Sequence, residues 1–386
     1  MKKKLISLLT SMAMIAILLT GCGSTPDTAA DSDAAAKPQS EETPKAGQPD
    51  DKADTKSAQE GSSDVHNDLD YDAANKTYAF VFKATGNPNG EKQMEGFKKV
   101  IEAYGGNVIL KSPEAATVEG QITIVNELIQ QKVDCIAITG NDVDALQPIL
   151  TQAMDAGIKV LSTDGQVNPD SRMIHVNQAD SKLVGQTLAK GVADMIGGSG
   201  EIAVLSATSQ SANQNTWIGY MQDELDANFK DVKCVEVAYG DDEFQKSVDQ
   251  TQALITNYPD LKAIVAPTTV GIAAAAKVVS DEGLTGKISV TGLGLPSEMA
   301  EYIESGVCPY MYLWNPDYVG ALTAYTSMAL VDGKITGAVG DSFEGYLGDD
   351  KKTFKVTEAL DGGTEVLLGE PFEFNSDNIA EWKNVF

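Results

Sequence analysis

The chain has 386 residues, with 56 Asp and Glu against 29 Lys and Arg and a formal charge of −27. So large an acidic excess repels nucleic acid and anionic bilayers, which excludes broad electrostatic binding to either. Arg172 is the one arginine, so a site of guanidinium forks for phosphate or carboxylate is excluded as well, and a neutral ligand is favoured.

In chain order, Lys2, Lys3 and Lys4 precede the apolar stretch Leu5 to Leu19, which is short for a membrane span and ends in Thr20-Gly21-Cys22. A basic start, a brief apolar core and small residues at the cut predict an export signal over 1–21. A cysteine directly after such a cut resembles the lipobox of bacterial lipoproteins, and the resemblance implies a lipid on Cys22 and a body held outside the cytoplasm, at the outer face of the cell membrane. Residues 22–75 read as an acidic linker. Between 23 and 72 there are 13 Asp and Glu against 4 Lys, with too little apolar surface to offset the entropy of ordering.

From residue 76 the chain alternates short apolar runs with amphipathic ones. Tyr78 to Ala84, Asn107 to Lys111, Cys135 to Thr139 and Ile158 to Thr163 read as buried strands. Helical spacing links Met94, Phe97, Ile101 and Tyr104, then Ile122, Val125 and Ile129, then Leu146, Ile149, Leu150 and Ala153. The rhythm restarts with a helix from about Ser181 to Met195 and strands at Glu201 to Ser206, Lys233 to Val237, Leu261 to Ala266 and Ile288 to Leu293. Such alternation predicts an α/β fold of two similar doubly wound parallel-sheet lobes. The expected lobes are 76–178 plus 314–340 and 179–313 plus 341–386. A three-strand hinge would join them near His175 to Ala179, near Tyr312 to Asn315 and after about Gly340.

In doubly wound sheets ligands lie beyond the carboxyl ends of the strands, so two facing lobes make a shared cleft. The residues at those ends are Lys83, Asn141 to Asp144, Asp164, Asn213, Gln214, Pro267 to Thr269 and Trp314. Amides and carboxylates take hydroxyls in pairs and rings cover C–H faces, so the set suits a small polyol. Each also has a structural use: Lys83 can snorkel, Asp144 and Asn213 can cap helices, Pro267 can end a strand, and Trp217 reads as core. Catalysis has little to rest on. His66 falls in the linker, His175 follows an apolar run, and no nucleophile or metal motif is present. Cys135, Cys234 and Cys308 form neither a disulfide framework nor a metal-ligand spacing. No cofactor is expected.

The pieces Gly86-Asn87-Pro88, Gly157-Ile158-Lys159-Val160 with Asp164, and Leu261 to Pro267 resemble the type I periplasmic-binding-protein-like, sugar-binding lipoproteins of bacterial ABC importers. Phe82-Lys83, Gly140 to Leu146, Asn213-Gln214-Asn215 with Trp217, Ala266-Pro267-Thr268-Thr269 and Leu313-Trp314-Asn315 are most similar to Lsr-type autoinducer-2 receptors and to rhamnose-binding proteins. The resemblance implies a monomer that passes a small neutral sugar or sugar-like ligand to ABC permease subunits. Autoinducer-2 is the first expectation and rhamnose the alternative; a receptor feeding a signalling partner is the second alternative. Carried over, the autoinducer-2 site is Lys83, Asp144, Asn213, Gln214, Pro267 and Thr269, although those receptors carry aspartate at the position of Asn213 and alanine at that of Thr269. Ribose-type relatives carry an arginine and an aspartate where this chain has Gly165 and Gly294, so a ribose-like grip is not expected.

Overall fold

The computed structural model describes residues 65–386. The predicted signal segment, Cys22 and most of the linker lie outside the described residues.

The first half of the body lays down β1 (Thr77–Val81), α1 (Pro88–Ala103), β2 (Asn107–Lys111), α2 (Val118–Gln131), β3 (Cys135–Ile138), α3 (Gln147–Asp155), β4 (Lys159–Thr163) and β5 (His175–Asn177). These strands pair in parallel in the order β2-β1-β3-β4-β5. The four strands β1, β3, β4 and β5 are covered on both faces, which is why they read as unbroken apolar runs. Helix starts are written locally. Asn87 and Thr117 accept from Gly90 N at 3.0 Å and Gly120 N at 3.3 Å, and Pro88 opens α1 at the position where its missing N–H costs nothing.

The pattern repeats with α4 (Ser181–Met195), β6 (Gly200–Ser206), α5 (Ala212–Asn228), β7 (Val232–Tyr239), α6 (Phe244–Asn257), β8 (Leu261–Ala266), α7 (Thr269–Asp281), β9 (Ser289–Gly292), α8 (Pro296–Glu304) and β10 (Tyr310–Leu313). The second sheet runs β7-β6-β8-β9, again parallel. A bridge from Leu293 to Tyr312 extends it toward β10. Both sheets share one strand order, so both reverse direction beside their first strand, and that switch point is where a doubly wound sheet opens a crevice. Three apolar cores fill the layers: one on each face of the first sheet and one around the second.

The last third follows the expected lobe assignment up to residue 340 and departs from it beyond. Helix α9 (Pro316–Val331) packs on α1 in the first lobe, and the approach is so close that a Cβ on Gly96 or Gly320 would collide with the backbone of the other helix. It is buried on nearly all sides and returns its hydroxyls to its own carbonyls, as in Thr326 to Leu322 O at 2.7 Å. The hairpin β11 (Ser342–Leu347) and β12 (Asp350–Lys355) puts Phe343 and Phe354 into the first lobe's core. The strands β13 (Thr357–Glu358) and β14 (Thr364–Leu367) then complete the first sheet, β14 lying parallel to β5 with Glu365 opposite His175. Only β15 (Phe372–Asn375), paired with β10, and α10 (Ile379–Trp382) join the second lobe. Residues 341–367 therefore belong with the first lobe, and the third crossing falls at 368–371 instead of after Gly340.

The described end of the linker is also part of the body. Leu69 and Ala73 are buried, Tyr71 meets Tyr104 edge-on at 5.7 Å, and His66 stacks on Tyr346 at 4.3 Å. Leu69 and Tyr71 supply apolar surface that a reading by average composition dilutes among their aspartates.

Candidate functional site

Between the sheets lies a narrow cleft with free space of about 30 Å³, lined from the first lobe by Phe82, Lys83, Asn87, Asn89 and Asp164. From the second come Asn213, Gln214, Trp217, Asp242, Pro267, Thr268, Thr269 and Leu293, with Leu313 and Trp314 at a crossing. The mixture of a few polar groups with rings is that of a small-molecule site.

The polar side chains are placed by buried supports. Gln121, wholly buried in α2, donates to Phe82 O at 3.2 Å and Thr139 O at 2.7 Å, and its Oε1 accepts from Asn141 N at 2.9 Å. Asn141 in turn donates to Lys83 O at 2.9 Å. These bonds tie together the ends of β1 and β3 and aim Lys83 into the cleft. Asp164 follows β4 with a left-handed backbone, φ 58°. That conformation is costly for an aspartate, and it is held by Asp164 N on Val176 O at 3.2 Å and Gly140 N on Gly165 O at 3.0 Å.

Asp164 gathers the polar groups of the site. Its Oδ2 faces Lys83 Nζ at 3.7 Å and Gln93 Nε2 at 3.5 Å, and its Oδ1 accepts from Gln178 Nε2 at 3.0 Å and Asn213 Nδ2 at 2.8 Å. Lys83 and Asp164 are 7% and 5% exposed, so the pair is desolvated, and its long separation makes it a poor source of stability. On the other wall, Gln214 Oε1 accepts from Ser206 Oγ at 2.7 Å and Ala207 N at 2.9 Å, which leaves its two N–H groups for the cleft. Thr268 donates to Asp242 at 2.6 Å. The rings of Trp217 and Trp314 meet at 5.8 Å, and both indole N–H groups, like Asn89 Oδ1, are buried without a protein partner. Buried polar atoms are normally satisfied, so the site presents two donors and an acceptor to whatever fills it.

Of the sequence-predicted site residues, Lys83, Asp164, Asn213, Gln214, Pro267, Thr269 and Trp314 all line this cleft. Asp144 does not. Asp142 takes the capping role, accepting from Asp144 N and Ala145 N, which turns Asp144 outward to accept from Asn168 Nδ2 at 2.8 Å on an exposed surface. Trp217, read as core, is buried in the second lobe's core and also lines the cleft. Asn89, Gln93, Gln178 and Asp242 were missed. Asn89 and Gln93 stand four residues apart on one face of α1, a spacing the motif Asn87-Pro88-Asn89 could have exposed. Gln178 and Asp242 carry no local signal.

The histidines stand apart from the cleft. His175 is buried in β5 against Ser162 Oγ at 2.8 Å, and burial together with the nearby Arg172 guanidinium holds its imidazole well below the usual range. Burial pushes the Cys135 thiol up to about 12 and the Cys308 thiol up as well, so neither is a nucleophile. Among the described residues no cluster of three His, Cys, Asp or Glu is arranged to hold a metal.

Residues 78–335 match the periplasmic binding protein domain. The chain is 50% identical to an ABC transporter solute-binding protein from Clostridium phytofermentas whose structure holds L-rhamnose; the match covers 82% of this chain and 100% of that one, with a TM-score of 0.79. It is 22% identical, with a TM-score of 0.74, to LsrB from Clostridium saccharobutylicum in complex with AI-2, covering 79% of this chain and 99% of that one, a likeness of fold. It is 30% identical over 181 residues to a D-ribose/D-allose-binding protein of Pseudomonas aeruginosa, a match to 45% of this chain that spans only about half (55%) of that relative's length. With two like-ordered sheets, a cleft between them and a family match across most of the body, the chain belongs to the periplasmic binding protein family.

Proposed function

We propose that the protein captures a neutral, hydroxyl-rich sugar in this cleft and presents it to the permease of an ABC importer, with L-rhamnose the leading ligand. The observation that carries the reading is the composition of the cleft: two carboxylates, Asp164 matched by the Lys83 ammonium and Asp242 engaged by the Thr268 hydroxyl, surrounded by amides, hydroxyls and two indoles drawn from both lobes. A charged ligand would leave an unpaired charge in a buried space, whereas hydroxyls can accept from Lys83, Gln214 and the indole N–H groups and donate to Asp164 and Asn89. Phe82, Leu293, Leu313 and the faces of Trp217 and Trp314 suit the C–H face and methyl group of a 6-deoxyhexose. The rhamnose-holding relative, half identical along its whole length, supports the same choice.

Autoinducer-2 is the second reading. Five of the six residues carried over for it, Lys83, Asn213, Gln214, Pro267 and Thr269, stand together in the cleft, while Asp144 faces outward and the uncharged Asn213 departs from that pattern.

Capture works through the crossings at 178–180, 314–315 and 368–371. A ligand bonded to both walls stabilises the closed arrangement by its contacts there and nowhere else, and the permease, or a signalling partner in its place, reads closure as occupancy. Cys22 would tether the body outside the cytoplasm; its replacement by alanine should release the protein, and continued membrane retention would refute the anchor.

A thermal-shift screen of L-rhamnose, autoinducer-2, ribose, xylose and galactose tests the ligand. At a hundredfold over its Kd the true ligand adds about 2.7 kcal/mol to the folded state. L-Rhamnose should give the largest rise, and no rise with any of the five would end the proposal.

A further inference from the structure

Among the described residues, one side-chain hydrogen bond crosses the cleft: Asn213 Nδ2 to Asp164 Oδ1, at 2.8 Å. The same oxygen accepts from Gln178, which lies on the first crossing between the lobes and is wholly buried. One carboxylate oxygen thus joins a first-lobe strand end, a hinge strand and the first turn of α5 in the second lobe. Lys83 and Gln93 occupy the other oxygen, so the acceptor capacity of Asp164 is filled by the protein itself.

We infer that the Asn213 amide is a built-in latch, holding the lobes together from the protein's own atoms and occupying the position on Asp164 that a ligand hydroxyl must take. This deepens the proposed function and rests on it for the ligand's part alone. The amide is what makes the latch possible. A carboxylate at 213 would face Asp164 at hydrogen-bond distance with no proton to share, and like charges in a dry cleft repel. Residue 213 then sets two properties together. It fixes how far the lobes close unaided, and it demands that a ligand offer Asp164 a donor at least as good as the amide. A ligand that offers only acceptors, or an anion, has nothing with which to displace the amide from Asp164, so the latch selects for hydroxyl donors.

The test reads the separation across the mouth of the cleft, without added sugar, by electron–electron resonance between spin labels at Glu119→Cys and Gln210→Cys. Both positions are exposed and line the rim on opposite lobes. A Cys234→Ser background keeps the half-buried native thiol unlabelled. The wild type should show a dominant short-distance population. Asn213→Leu should shift the ratio toward the long distance about tenfold, the loss expected for a hydrogen bond to a charged group, and Asn213→Asp should shift it further. Because Asn213 is buried, a folding defect could mimic opening. The paired exchange Asn213→Asp with Asp164→Asn, which restores an amide facing a carboxylate, should return the short distance. A distance distribution indifferent to residue 213, or opening that the paired exchange fails to reverse, would overturn the latch. A protein that closes through residue 213 yet binds none of the sugars would sink the functional reading and leave the latch standing.

Discussion

The two walls of the cleft are built on the same strand order yet differ in chemistry. The first-lobe wall is ionic: Lys83 and Asp164 face one another at 3.7 Å, with Gln93 as an added donor. The second-lobe wall is nearly neutral, made of Asn213, Gln214, Pro267, Thr268, Thr269 and Trp217, and its one carboxylate, Asp242, is engaged by Thr268. Because the opposing charges are matched within one lobe, the lobes can part without separating an ion pair. Closure then depends on hydrogen bonds and rings, the groups that a neutral sugar engages.

The largest effect should come from breaking the ionic wall at its centre. Asp164→Ala removes four acceptor contacts and strands the Lys83 ammonium in a buried place, so calorimetry should find sugar binding reduced at least a hundredfold, and the melt should fall by the equivalent of about 3–5 kcal/mol. Retained affinity would mean that the wall is scaffold alone. Lys83→Met comes next, with binding weakened about tenfold to a hundredfold. Gln93, Gln178 and Asn213 still serve Asp164, so the melt should change little; a large loss of stability would assign Lys83 to structure.

Acid sharpens the contrast by acting on the first lobe. His175 is kept neutral by burial, so the folded state's stability is present above the ordinary imidazole value, near 6.5, and is lost as pH falls from there toward its depressed folded value. Chemical denaturation should show a slope of about 1.4 kcal/mol per pH unit in that window, absent in His175→Asn. Glu365, opposite it on β14, has the other sign. Burial raises its carboxyl, so its contribution fades as pH rises from 4.5 through the raised value, and Glu365→Gln should flatten that limb. The smallest effect is expected from the neutral side. Trp314→Phe keeps a ring and loses one N–H, for about a fivefold loss of affinity, and an unchanged Kd would leave the plate as the residue's only contribution.

The sequence made the repeating core legible where local pattern and local contact coincide. The helix at Ser181 to Met195 and the strands at Asn107 to Lys111 and Leu261 to Ala266 fall where periodicity places them. Seven of the expected cleft residues were readable because a parallel sheet puts strand ends at one edge. The segment after residue 340 was not, since β13 and β14 are two and four residues long and β14 finds its place beside β5 through a pairing nearly two hundred residues distant, with β13 hydrogen-bonded to β14. Asp144 and Asp164 show the limit at the level of one side chain. Both follow strands, yet the cap formed by Asp142 turns Asp144 outward, whereas the bonds of Gln178 and Asn213 hold Asp164 in the cleft.

The central claim is that both walls close on one neutral sugar, and a crystal structure grown with L-rhamnose tests it most directly. The account predicts a single pyranose between the lobes, its hydroxyls within hydrogen-bond reach of Asp164, Lys83 and Gln214 and its C–H face on Trp314 or Trp217. Rhamnose bound elsewhere, or a cleft that admits none at saturating sugar, would contradict it.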